Sequence, residues 1–275
     1  MIPTAKELQK SWNLAAKTYA CTLEKANLQL GFSLARMMNI TSAQNILESC
    51  SGSGVLTFNL LPTLSKGAKY IATDISDEMI KLAQERMESF KGQLDHVDLK
   101  FIQADAENLS FIPNETIDAY LSSLCFHLVP DANKTLQEAK RIIRKGGKIG
   151  FSVLGKKENS SFSQIFNDRL KEFGVVLPES RGIYHLSAKE KLIQLAKDNG
   201  IKPDFCWIEN VVMGVHDESA LQMILDLPGN KRILGGLDEE TKTKFIKAMK
   251  DDFHNKQEQL EPLLTENILF VGTKE

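Results

Sequence analysis

Residues 45–58 read NILESCSGSGVLTF, and the fold turns on them. Ile46 and Leu47 carry the apolar signature of a buried strand end, and Val55, Leu56 and Phe58 that of the first turns of a helix. Between them, Glu48 is followed by six residues drawn only from Ser, Cys and Gly. Such a turn is small enough for another molecule to touch its backbone. Gly52 and Gly54 permit a tight reversal, and the helix that follows offers unpaired N–H groups. In open α/β sheets, ligands bind at this place, the carboxyl end of a strand.

Outward from this stretch, strand and helix patterns alternate. Strand-like runs at 45–48, 69–73, 99–103, 117–122 and 148–154 interleave with helix-like runs at about 54–65, 77–90, 131–144 and 187–199. Residues 5–38 read as helix in two pieces, with Leu8, Trp12, Ala15 and Tyr19 at helical spacing. Asp77 with Glu78, and Ser187 with Glu190, mark helix starts, and Gly146-Gly147 a helix stop. The alternation predicts a parallel sheet flanked by helices. Two segments break the rhythm: one helix within 155–186, and two more between the strand-like DFCWIENVVMG and the terminal NILFVGTK. Repeats and Pro-rich linkers are absent, so 1–275 reads as a single domain. Its parts are an N-terminal helical segment over 1–40, a ligand-binding core over 41–155, and helical insertions at 156–186 and 217–260.

Composition narrows the function class. Apolar residues make up 42% and charged residues 25%, ordinary globular values. The net charge is −2 with Lys and Arg scattered, unlike the clustered basic face of a nucleic-acid binder. No stretch approaches the ~18 apolar residues of a membrane span. The first 25 residues mix Lys with Glu and lack both Arg and an apolar run, so neither a secretory nor a transit signal is expected. Four widely spaced cysteines, Cys21, Cys50, Cys125 and Cys206, read as reduced, buried thiols of a cytoplasmic protein.

Asp74 stands twenty residues after Gly54 at the end of the next strand, the spacing at which an acid accepts from a ribose diol. A dinucleotide site would also need Gly at 57, where the chain has Thr57. The motifs instead resemble those of the class I S-adenosylmethionine-dependent methyltransferases, particularly the ubiquinone and menaquinone biosynthesis methylases. An acid followed by G-x-G-x-G is matched by Glu48, Cys50, Gly52 and Gly54, with Cys50 replacing the first glycine. TDISDEMIKLAQER resembles the second motif, FIQADAENLSF the third, and IDAYLSSLCFHLVPDANKTLQEAKRIIRKGGKIGFSV the next strand, helix and strand.

The resemblance implies a Rossmann-like, doubly wound α/β fold, mostly parallel with the last strand, NILFVGTK, pairing antiparallel, and S-adenosylmethionine as cofactor. It makes the helical segment over 1–40 a lid. It implies that Asp74 holds the ribose, with Ile75 and Met79 near the adenine. Asp105 would take the adenine amine, and Ala106 would meet the ring through its backbone. Glu48 and Ser122 would lie near the methionine portion, and Tyr19, on a lid helix, near the sulfonium. His127 is the histidine expected at the mouth of the site, as base or substrate contact, or as a packing residue before a helix. Where many relatives carry a second histidine, this chain has Leu128. No clustered acidic ligands point to a metal. The expected acceptor is a small molecule. The rival readings are a quinone or lipid-like acceptor, and a non-catalytic protein that keeps the fold.

Overall fold

The computed structural model describes residues 3–90, 92, 94–175, 182–212 and 218–275. Helices α1 (Ala5–Thr22) and α2 (Glu24–Met37) come first. The side chain of Thr4 caps α1 and is answered by Glu7, satisfying two end N–H groups reciprocally. The core then alternates as β1 (Asn45–Ser49), α3 (Val55–Leu60), β2 (Lys69–Asp74), α4 (Asp77–Glu88), β3 (Asp98–Gln103), β4 (Ile117–Ser122), α5 (Ala132–Ile142) and β5 (Ile143–Leu154). Then come α6 (Ser161–Glu172), α7 (Lys189–Asp198), β6 (Ile201–Val212), α8 (Glu218–Leu225), α9 (Pro228–Leu234), α10 (Glu239–Glu258) and β7 (Leu264–Lys274).

The strands form one seven-stranded sheet in the order β3-β2-β1-β4-β5-β7-β6. All pairings are parallel except those of β7, which runs antiparallel to both β5 and β6. The expected mostly parallel, doubly wound α/β sheet with an antiparallel last strand is therefore the observed fold. Both faces are covered, so β1 is buried almost throughout. Ile46 packs with Leu30, Leu34 and Met38 of the α2 side, while its neighbour Leu47 packs with Leu136 and Leu192 of the α5 and α7 side. Successive strand residues point to opposite faces, which is why two apolar residues in a row serve two cores.

Several boundaries differ from the sequence reading. The helix expected over 54–65 ends at Leu60, and a 3-10 turn takes over around Pro62, whose ring cannot continue a helix. Gly146-Gly147 does not stop a helix. α5 ends at Ile142, and the two glycines lie in β5 where the register to β4 shifts. A Cβ on Gly147 would meet the Asp118 carbonyl at 2.9 Å. Ser76, not Asp77, caps α4 by accepting from the Met79 N–H, and α7 begins after Ala188 without a side-chain cap at Ser187. The segment expected to hold two helices holds three, α8 to α10. Residues 176–181, within the first expected insertion, and 213–217, which take in the end of the expected strand DFCWIENVVMG and the first residue of the second insertion, lie outside the described residues.

α6 and α8–α10 share a third core around Phe166, Leu170, Leu221, Phe245, Met249 and Phe253. The chain enters α6 from the end of β5 and α8 from the end of β6. This helical layer therefore stands at the carboxyl ends of the strands. No described helix is long and apolar enough to cross a membrane.

Candidate functional site

Strand order decides where the site lies. From β1 the chain winds outward through β2 to β3, then returns to place β4 on the other side of β1. The crevice beyond the ends of β1 and β4 is the switch point where such sheets bind ligands. The loop SCSGSG leaves β1 there. Gly52 and Gly54 adopt φ of 56° and 77°, and Cys50 adopts 59°, the left-handed region that disfavours a side chain. A Cβ on Gly54 would lie 3.2 Å from both Ala83 and Phe58, so the loop is pressed onto α4.

Asp74, at the tip of β2, closes on this loop. One carboxylate oxygen accepts from the Gly52 N–H and the other from the Ser76 N–H, each at 2.9 Å. Burial pushes its pKa up to about 6 against those two hydrogen bonds. Tyr19 and Met79 come to the same glycine. A Cβ on Gly52 would stand 3.9 Å from the Tyr19 ring and 4.0 Å from the Met79 sulfur. The Trp12 ring meets Tyr19 edge-on at 5.7 Å. Burial lifts the Tyr19 hydroxyl to about 12. Asp105 is half-buried just past β3, accepting from the Glu107 N–H, and Ala106 beside it is buried. Ile75 is half-buried, and its carbonyl accepts from Gln103.

Glu48 lies beneath the loop rather than on its open side. Its Oε2 accepts from Thr57 of α3 at 2.5 Å and from Tyr70 of β2 at 2.8 Å. Burial raises its pKa to about 7, with those two donors opposing. Thr57, the residue that spoils the dinucleotide pattern, thus holds α3 to the strand acid. Ser122 ends β4 fully buried, and Ser51 Oγ is buried without a hydrogen-bond partner among the described residues. His127 is 4% exposed, in the core-lined loop after β4. In the insertion, Tyr184 shares a hydrogen bond with Ser163, and His185 meets the Gly182 carbonyl.

Sequence reasoning missed five hydrogen bonds, made by three residues, that fasten the N-terminal helices to the loop and to the start of α4 and its Arg86. Buried Glu24, the first residue of α2, accepts from Ser53 and from Arg86 of α4, the latter at 2.6 Å. Asn13 donates to Asp77 at 2.6 Å and accepts from Ser76 at 2.7 Å. Gln9 donates to Asp77 as well. No spacing signals them, because each joins residues more than 25 positions apart.

The cysteine expectation is corrected here. Cys50 and Cys125 form a disulfide, Cys21 is exposed, and Cys206 is half-buried. The parallel pairing of β1 with β4 brings residues 75 positions apart to the same sheet edge. An open cleft of about 430 Å³ lined by Lys140, Asp198 and Lys274 lies at the opposite, amino-terminal edge of the sheet, away from this crevice.

The sequence profile of the ubiE/COQ5 methyltransferases matches residues 28–190, from α2 to the start of α7. The chain belongs to the ubiE/COQ5 methyltransferase family. Among its relatives is the demethylmenaquinone methyltransferase of Protochlamydia amoebophila, 29% identical over 167 residues, or 58% of this chain and 66% of that one. The chain spans between 41% and 66% of the length of the first curated relatives it matches. The fold is shared with solved structures at low identity. The [4+2]-cyclase SpnF matches at a TM-score of 0.64 and 13% identity, over 100% of this chain and 97% of that one. Phosphoethanolamine N-methyltransferase 2 of Haemonchus contortus, solved with S-adenosyl-L-methionine, matches at 0.57 and 17%, over 100% and 60%.

Proposed function

We propose that the chain binds S-adenosylmethionine in the β1/β4 crevice and transfers its methyl group to a small molecule under the helical layer. One observation carries this reading. Asp74 and Met79, within the segment that matches the ubiE/COQ5 profile, converge on its Gly52, and Tyr19 of the preceding lid helix joins them there.

The residues present fit the cofactor. Asp74 would offer carboxylate oxygens to a ribose diol, and Asp105 with the Ala106 backbone would meet the adenine. Ile75 and Met79 would pack against the base. Cys50, Gly52, Gly54 and Ser122 would border the amino-acid portion, with Glu48 supporting the loop through Thr57 and Tyr70. Two carboxylates whose ionised forms are disfavoured by burial would gain from a cationic ligand nearby. The Tyr19 face is suited to the same cation. When bound, the cofactor supplies a methyl group already activated by its sulfonium, so this chain's part is placement. Holding two reactants in attack geometry contributes on the order of 7–11 kcal/mol.

For the acceptor we favour a quinone-like or lipid-like ring. Its support is the name of the Protochlamydia relative and the aromatic interior of α6 and α8–α10. We read 1–275 as one functional unit, cytoplasmic, acting on a small molecule and not on nucleic acid. Its net charge of −2 supports the last point. Titration calorimetry should give binding of S-adenosylmethionine and S-adenosylhomocysteine and none of NAD. NAD binding that neither sulfur compound displaces would overturn the reading.

His127 is assigned to packing. A ring this buried, in a loop whose Phe126 and Val129 belong to the core, is read as a packing residue before α5. His127→Ala should lower stability by about 1–3 kcal/mol, and turnover only as far as the folded fraction falls. A fall of about 10²–10⁴ in turnover at unchanged stability would make it a general base instead.

A further inference from the structure

We propose that the Cys50–Cys125 pair is a reversible redox gate on the crevice, closed as the disulfide and open as the dithiol. The inference rests on the cofactor reading above, because the gated ligand is that cofactor.

Position carries the argument. Cys50 directly follows the last residue of β1, and Cys125 lies three residues past the end of β4. The two strands are neighbours, with Glu48 opposite Leu121. A bond between the cysteines, whose Cα atoms stand 6.2 Å apart, therefore runs across the mouth of the switch-point crevice. It ties the glycine-rich loop to the β4–α5 loop, and these two loops would have to receive the ligand between them.

The backbone is held unusually on both sides of the tie. Cys50 adopts φ of 59° and Leu124, next to Cys125, adopts 55°. Non-glycine residues in the left-handed region sit there at a cost that surrounding structure must sustain. On the β4 side, Ser152 anchors the loop by accepting from the Leu124 N–H at 2.9 Å and sharing a hydrogen bond with Ser123 at 3.1 Å. On the β1 side, Glu24 anchors Ser53. Between these anchors the disulfide is the covalent link. The Tyr19 ring stands near Gly52 on one side of the loop, and the sulfurs span the strand ends on the other.

The chemistry balances with a peroxide as oxidant. One thiolate attacks a peroxide oxygen and becomes a sulfenic acid as the first water leaves. The second thiol attacks that sulfur and expels the second water. Two electrons and two protons leave the pair, and one peroxide becomes two waters. A dithiol reductant reverses the step by exchange and is itself oxidised to a disulfide.

The test compares S-adenosylhomocysteine binding by calorimetry in the peroxide-oxidised and dithiothreitol-reduced proteins. Thiol titration defines the forms: Cys21 and Cys206 alone react when oxidised, and all four cysteines when reduced. If under a tenth of the oxidised protein is open, its affinity should be lower by about ten-fold or more. Cys125→Ser, with Cys125→Ala beside it, should bind like the reduced protein and ignore peroxide. Equal affinity in the two forms would overturn the gate alone, as would a peroxide response that survives in both variants. Absence of binding in every form would remove the cofactor reading, and the gate with it.

Discussion

Replacing Asp74 with Ala is expected to weaken S-adenosylhomocysteine binding by about 10- to 150-fold. That range corresponds to about 1.5–3 kcal/mol, the cost of losing a hydrogen bond to a charged group. Asp74 is buried to 8% exposure, so water cannot replace what the carboxylate supplies. The same change leaves the Gly52 and Ser76 N–H groups without their acceptor, which loosens the loop as well as the ribose contact. Asp74→Asn separates the two effects. It keeps the shape and one acceptor oxygen while removing the charge, so it should fall between the wild type and Asp74→Ala. Asp105→Ala should cost less than Asp74→Ala. Asp105 is only half-buried, its carboxylate accepts from the Glu107 N–H, and the Ala106 backbone would remain to meet the ring. If both Ala variants stay folded and bind as well as the wild type, these strand-end acids do not hold the cofactor.

The second large effect concerns pH. Burial holds Glu48 at a pKa of about 7 in the folded chain, against an ordinary value of 4.5. Between those pH values the native state keeps a proton that the unfolded chain has released. Stability therefore falls as pH rises from about 4.5 to about 7, by about 3 kcal/mol from this group, and changes little above. Asp74 acts with the same sign, from 3.8 to about 6. Glu48→Gln keeps an acceptor for Thr57 and Tyr70 and removes the charge. Its urea midpoint should gain on the wild type as pH rises from 5 to 8, a difference that isolates Glu48 from every other titrating group. Parallel pH curves for the two proteins would show that Glu48 titrates at its ordinary value.

The motifs around the site were legible because they are local. A strand that ends just past Glu48, at Ser49, a turn of small residues and a helix that starts at Val55 follow one another within fourteen positions. Asp74 follows at the length of one helix and one strand. The loop's glycines could be read as a backbone requirement, and φ of 56° and 77° supplies it. The helix ends were less legible. Pro62 was available to the eye, yet the apolar pattern ran past it, and Gly146-Gly147 serves a strand bulge as readily as a helix stop.

Local period and spacing, by themselves, determined the alternation of strand and helix, the parallel sheet and the small-residue loop. They did so because each signal lies within one element or one turn, where chain geometry alone relates the residues. The family and the antiparallel last strand came from the resemblance of the motifs. Only the tertiary structure decided that β7 lies between β5 and β6, that Tyr19 rests on Gly52, that Glu24 reaches Ser53 and Arg86, and that Cys50 meets Cys125. These contacts depend on which elements the sheet places side by side. A cysteine 75 positions from its partner, or a glutamate on a lid helix, leaves no periodic trace of where it will land.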